Sequence, residues 1–175
     1  RGVFCGGTTT PGYGAGTTRA IEDVTIATFG NSESFGSLSR PAYNVNAVSN
    51  TTRGLINIGQ VTTSEGTTYD NAIEYISMQT GGSSEDFGNL VSAIKIAGAA
   101  AASSTRGLFA AGNIGSSPTI TAAIDYVEIA TLGDALDFGD LTVARDSIAG
   151  MSNNVRAVFA GGRTGPPASE ALQDV

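Results

Sequence analysis

Residues 1–7 read RGVFCGG, and the phrase returns as RGLINIG from Arg53, RGLFAAG from Arg106 and RAVFAGG from Arg156. The offsets are 52, 53 and 50 residues. A second block follows each of the first three: IEDVTIATFGNSESFGSL from Ile21, IEYISMQTGGSSEDFGNL from Ile73 and IDYVEIATLGDALDFGDL from Ile124. These align without a gap over eighteen positions. ALQDV at Ala171 to Val175 repeats AIEDV at Ala20 to Val24. The chain therefore divides into repeats 1–52, 53–105 and 106–155 and a partial repeat 156–175. A fixed period of this length marks stacked supersecondary units, each too small to bury its own apolar face.

Each repeat spells four strands. The first is RGLF followed by small residues and a glycine. The second is IDYVEIAT, where Val127 and Ile129 share one face and Tyr126 and Glu128 the other, because side chains alternate along a strand. Val24 with Ile26 and Ile76 with Met78 occupy the same positions. The third is FGDLTVAR, anchored by Phe138 and Leu141, with Phe35–Leu38 and Phe87–Leu90 as equivalents. The fourth is SIAGMS at Ser147 to Ser152. Its second copy, GAAAAS, has helical propensity in isolation. The repeat register makes it a strand, and its small side chains predict close packing on a neighbouring unit or a central axis. GNSES, GGSSED and GDALD read as hairpin loops between the second and third strands. TTTPGYGAGTTR, QVTTSEGTTYDN and NIGSSPTITA are longer, variable surface connections after the first strand.

Composition agrees with short strands and tight turns. Glycine is 24 of 175 residues, about twice the usual share of roughly 7%. Charged residues make up only 14%, so Ser, Thr and Asn must supply much of the polar surface. The chain has no His, no Trp and one Cys, Cys5. That excludes imidazole-based triads and dyads, imidazole metal ligands, an internal disulfide and a Cys-rich zinc site. A net charge of −7 argues against nucleic acid and acidic lipid as partners. No apolar run is long enough for membrane insertion.

Four strands per roughly fifty residues point to an all-β fold, a β-propeller of four-stranded antiparallel blades. The pattern resembles the kelch repeat, in which a strand closes on Gly-Gly and an aromatic follows in the next strand. The double glycine stands at Gly6-Gly7 and Gly161-Gly162, and the following aromatic at Tyr75 and Tyr126. Phe35, Phe87 and Phe138 replace the usual Trp, and Arg145 supplies the closing basic residue. Runs such as RGLFAAG, DFGDLTVAR and AGMSNN also resemble kelch-like repeats of tailed-bacteriophage structural proteins, the tail-fibre and appendage chains. With blades running strand four, one, two, three, residues 1–175 hold fourteen strands, two short of a closed four-blade ring. The propeller is thus expected to be incomplete in this chain, completed by further repeats of a longer parent or by neighbouring chains.

Arg1, Arg53, Arg106 and Arg156 recur at one position. They are expected to be structural, bonding carbonyls or carboxylates between blades, because a ligand site rarely needs every blade alike. Glu33, Glu85, Asp86, Asp134 and Asp137 read as solvated turn carboxylates; the DxDxDG calcium pattern is absent, so no metal site is expected. Cys5 aligns with Asn57, Ala110 and Ala160 and reads as a packed thiol. Tyr13 and Tyr69 sit on variable connections, where exposed rings could stack on a sugar or a partner protein.

The resemblance implies a non-enzymatic segment of a phage virion, in a tail fibre or appendage. Its variable loops would recognise a host-surface glycan or protein, with no cofactor. An assembly or decoration role, with contacts to other virion proteins, is the second expectation. A carbohydrate-active propeller enzyme is the third: the galactose-oxidase type needs histidine ligands that this chain lacks, and the Asp boxes of the sialidase type are absent.

Overall fold

The computed structural model describes residues 1–10, 16–63, 65–91, 97–114 and 120–164. These residues form no helix; they build four antiparallel sheets, each of sheets 2 to 4 taking its fourth-strand segment from the preceding repeat. Sheet 1 holds β1(Gly2–Cys5), β2(Ala20–Val24) and β3(Glu33–Ser37) in that order. Sheet 2 holds β4(Ala42–Tyr43), β5(Asn46–Ser49), β6(Arg53–Thr63), β7(Gly66–Ser77) and β8(Glu85–Asn89); β4 and β5 both pair with β6. Sheet 3 is a meander of β9(Ala99–Ala102), β10(Arg106–Ala110), β11(Ala123–Glu128) and β12(Leu136–Asp140). Sheet 4 pairs β13(Ala149–Ser152) with β14(Ala157–Ala160). The order strand four, one, two, three read from the repeat recurs in sheets 2 and 3. Residues 171–175, expected to be the next strand of sheet 4, lie outside the described residues.

Several elements differ from the sequence reading: the second strand stops at Glu128, the fourth begins at Ala149, and β4 is additional. The third strand begins earlier and stops sooner, at Leu136–Asp140 rather than FGDLTVAR. QVTTSEGTTYDN, expected as a loop, is a hairpin made by the extended ends of β6 and β7. Its Val and Thr residues favour extended backbone, Gly66 at φ +128 serves the turn, and β4 pairs with its base through Ala42–Val61 and Tyr43–Gln60.

Local chemistry closes the hairpins between strands four and one in the same way each time. The Asn50 side-chain oxygen accepts from the backbone N–H groups of Thr52 and Arg53 at 2.9 and 2.8 Å. Ser103 accepts from Thr105 and Arg106 at 3.2 and 3.0 Å, and Asn153 from Val155 and Arg156 at 2.9 and 2.8 Å. Asn and Ser at a turn's first position do this because a short side chain reaches the backbone two and three residues on.

Between the second and third strands each of sheets 1 to 3 carries a β-bulge, at Ile21/Glu22, Ile73/Glu74 and Ile124/Asp125. The residue skipped by the register is Phe35, Phe87 or Phe138. A bulge re-aims the side chains beside it. It turns Phe35 and Phe87 into the contact with the following sheet, where both are buried. It also places Glu74 and Asp125, both buried, at the contact with the preceding sheet.

The core lies between the sheets. Sheets 1 and 2 enclose Ile21, Phe35, Leu38, Ile56, Ile58 and Ile76. Sheets 2 and 3 enclose Val48, Leu55, Phe87, Phe109, Val127 and Ile129, and sheets 3 and 4 enclose Ala101, Ala110, Ile124 and Phe159. The all-alanine β9 packs against both β5 and β13. Tertiary context overrides its helical propensity because only small side chains fit there: a Cβ added to Gly150 would lie 2.5 Å from the Ala100 carbonyl oxygen.

Main-chain bonds also cross from sheet to sheet. Gly82 and Ser84 donate to the carbonyls of Phe35 and Ser37, both at 2.9 Å; Gly133 and Ala135 donate to Phe87 and Asn89 at 2.9 and 2.8 Å. Equivalent residues make equivalent bonds, so successive sheets keep one orientation. The connections between strands one and two therefore gather at one end of the array, and the Asn50, Ser103 and Asn153 turns at the other.

Candidate functional site

At the connection end stands the β6–β7 hairpin, with Gly66, Thr67, Thr68 and Tyr69 exposed. Tyr69 stands opposite Gln60 and is 43% exposed. The base below it is braced. Asn44 Nδ2 donates to Gln60 Oε1 at 2.5 Å, Asp70 pairs with Arg40 at 2.8 Å, and Asp70 also accepts from the Ala72 N–H at 2.8 Å. An amphipathic ring on a braced strand suits stacking, because little side-chain entropy is lost on contact. Tyr13, the other aromatic expected on these connections, lies outside the described residues.

The recurring arginines take different partners. Arg1 Nη1 donates to the Met78 carbonyl of sheet 2 at 3.2 Å, while its Nε pairs with Asp23 at 2.9 Å. Arg53 Nη1 donates to the Ile129 and Ala130 carbonyls of sheet 3, both at 3.0 Å, and its guanidinium lies 4.8 Å from the Tyr75 ring centroid. Arg106 stacks on Tyr126 at 5.1 Å and pairs with Glu128 of its own sheet at 2.6 Å. Arg156 is exposed. Of the repeat phenylalanines, Phe35 and Phe87 are buried, whereas Phe138 is 52% exposed, packed edge-on against Tyr126 at 6.0 Å between centroids.

Several of the carboxylates are engaged. Glu74 accepts from the Ser39 N–H and from the hydroxyls of Ser39 and Ser84, and Asp125 accepts from the Val91 N–H at 3.2 Å. Asp134 accepts from the backbone and side-chain amides of Asn89 at 2.9 and 3.1 Å. Glu85 accepts from the Tyr75 hydroxyl at 2.5 Å, which pushes that phenol above its ordinary range. No group of three Asp, Glu or Cys side chains that could hold a metal ion is found among the described residues. Burial pushes the Cys5 thiol up to about 11, which keeps it protonated and unreactive at neutral pH.

The opposite end holds a feature the sequence reading missed. The turns there surround a shallow depression of about 600 Å³, lined by Arg1, Ser49, Asn50, Ser103, Ser152 and Asn153. Its polar groups bond chiefly to one another. Asn50 Nδ2 donates to the Ser104 carbonyl at 2.9 Å, the Ser104 N–H to Asn154 Oδ1 at 3.2 Å, and the Ser152 hydroxyl to the Ala102 carbonyl at 2.7 Å. The signal was present as Asn or Ser three residues before each of Arg53, Arg106 and Arg156. At the depression, turn residues bond to one another, whereas the hairpin end presents the exposed ring of Tyr69.

Compared with known proteins, the chain matches no family model and no curated sequence.

Proposed function

We propose that the four sheets are blades of a kelch-like β-propeller, incomplete within this chain, and that it serves as a non-enzymatic recognition module in a tail fibre or appendage of a phage virion. The ligand is a host-surface glycan or protein, bound at the end that carries the variable connections. The observation that supports this most is Tyr69, exposed on a hairpin braced by Arg40, Asn44 and β4. An outward aromatic on a braced hairpin, at the end where the repeats differ most in sequence, is what an adaptable binding surface requires. The non-enzymatic part is supported by Glu74, Asp125 and Asp134, whose hydrogen bonds tie sheet to sheet.

The test is binding of the chain to intact host-range cells and to a glycan array, beside a Tyr69→Ala variant. Binding that weakens roughly tenfold or more in the variant, as loss of an aromatic anchor predicts, supports the reading. Equal binding by both proteins, or none by either, removes it. The second reading, contact with other virion proteins, is favoured by a different observation: large apolar residues lie exposed at both ends of the sheet array, Phe4 and Ile26 on one side and Met151 and Val158 on the other.

A further inference from the structure

The contact between neighbouring sheets is built three times from equivalent positions. The earlier sheet contributes the position of Leu55 on its first strand, filled by Val3, Leu55 and Leu108 in turn. Where its fourth strand is present, it adds the position of Val48, which is Ala101 in sheet 3. The later sheet contributes the position of Phe109, filled by Ile56, Phe109 and Phe159. Where its second strand is described, it adds Ile76 with Met78, or Val127 with Ile129. An arginine of the earlier sheet then caps the contact by donating to the backbone carbonyl at the Met78 or Ile129 position.

The two ends of the array display the two halves of this contact uncovered. On the outer side of sheet 1, Phe4 stands at the Phe109 position and Ile26 at the Ile129 position; they are 62% and 75% exposed, where Phe109 and Ile129 are fully buried. On the outer side of sheet 4, Met151 stands at the Val48 position and Val158 at the Leu55 position, 60% and 39% exposed. Arg156, exposed beside them, stands at the Arg53 position. Neither half can pair with a second copy of itself, because each lacks the complementary set. Each is matched by the half at the other end.

We propose that the chain associates head to tail with a second copy of itself, the sheet 1 face of one copy docking on the sheet 4 face of the other. Phe4 and Ile26 pack on Met151 and Val158 of the second copy, and Arg156 of that copy caps the contact on the Ile26 carbonyl. The contact is heterologous, so it generates rings or open chains rather than closed symmetric pairs. It rests on the sheet contacts alone and is independent of any host ligand.

The test is the mass of the chain in solution across a concentration series, by light scattering or sedimentation. The wild-type chain is expected to exceed the mass of one chain, rising with concentration. Ile26→Asp and Met151→Glu, one charge on each face, each abolish this. Mixed together they restore a dimer and nothing larger, since each retains one intact face. Phe4→Asp with Val158→Glu repeats the experiment on neighbouring residues, and far-ultraviolet circular dichroism establishes that each variant is folded. A wild-type chain that stays at single-chain mass throughout overturns the proposal. So does self-association that survives in either single variant, or a folded pair of variants that fails to combine.

Discussion

Arg53 and Ile129 join two neighbouring sheets: the guanidinium Nη1 of one lies 3.0 Å from the carbonyl oxygen of the other, and also 3.0 Å from that of Ala130. Arg1 makes the same reach to Met78. The bond to Ile129 is part-buried and the one to Ala130 exposed, and a hydrogen bond to a charged group contributes about 1.5 to 3 kcal/mol. Arg106, by contrast, pairs with Glu128 of its own sheet on an exposed surface.

Arg53→Ala should therefore lower unfolding stability by about 1 to 3 kcal/mol, and Arg106→Ala by less than about 1 kcal/mol. Arg53→Lys should recover only part of the loss, since an ammonium lacks the flat guanidinium face that stacks on Tyr75. Urea midpoints of the three variants decide the matter. Equal losses at positions 53 and 106 would mean that the cross-sheet bonds contribute nothing beyond a surface charge.

Gly36 and Gly88 sit where strand edges meet the loop of the next sheet. A Cβ at Gly36 would lie 2.0 Å from the Gly82 carbonyl oxygen, and one at Gly88 would lie 2.3 Å from that of Gly133. Both contacts are backbone, which cannot swing aside. Gly36→Ala should push the Gly82–Phe35 and Ser84–Ser37 bonds apart and cost about 2 to 4 kcal/mol, as overpacking with lost hydrogen bonds does. Gly30→Ala, with nothing within 4 Å and no positive φ, should stay within about 0.5 kcal/mol of wild type. Thermal melts of the two variants side by side are the measurement.

These glycines show which part of the architecture was legible in the sequence. The repeat period gave the order of the strands in sheets 2 and 3, because a hydrophobic pair beside a turn signal recurs at fixed spacing; the extra strand β4 in sheet 2 was not legible. The bulge was not legible. The reading placed Phe138 as an anchor within a regular strand, whereas the structure makes the Phe the extra residue, and only the preceding Ile–acidic pair hints at it. Burial was not legible either. Phe87 and Phe138 have the same neighbours in sequence, yet Phe87 is buried and Phe138 is exposed, because burial depends on the sheet that packs next to each. At the candidate site, Tyr69 was read on a loop, whereas it stands within β7. The hairpin that carries it was not legible, because Thr-rich connections and Thr-rich strands look alike until pairing with β4 decides between them.

Cys5 makes stability depend on pH in the alkaline range. Burial raises its thiol from 9.0 to about 11, so between those values the folded state keeps a proton that the unfolded state has lost. Stability should fall as pH rises through that window, by at most about 1.4 kcal/mol per pH unit, with no contribution below it. Cys5→Ala, the residue found at the equivalent Ala110 and Ala160, should remove this component while preserving the packing. The measurement is the difference between the two proteins' urea midpoints at pH 8 and pH 10.5. A constant difference would mean the thiol is not desolvated in the folded chain.

Phe4 and Phe109 occupy one position of the repeat and differ only in what covers them: Phe109 lies at zero exposure between sheets 2 and 3, and Phe4 faces outward from sheet 1. Truncation to Ala removes the same atoms at both sites. At Phe109 it leaves a cavity walled by Val48, Leu55, Phe87 and Val127, and should cost about 3 to 5 kcal/mol. At Phe4 the unfolding free energy of the dilute chain should change by less than about 1 kcal/mol, because water already reaches the ring. Comparing both variants at low and high protein concentration separates intrinsic packing from association. The Phe109 loss should be the same at both, whereas Phe4→Ala should become destabilising relative to wild type only where the wild-type chain associates, since a partner that binds the folded state adds stability by mass action. If Phe4→Ala proved as costly as Phe109→Ala in dilute solution, the outer face of sheet 1 would have to be covered within the chain itself.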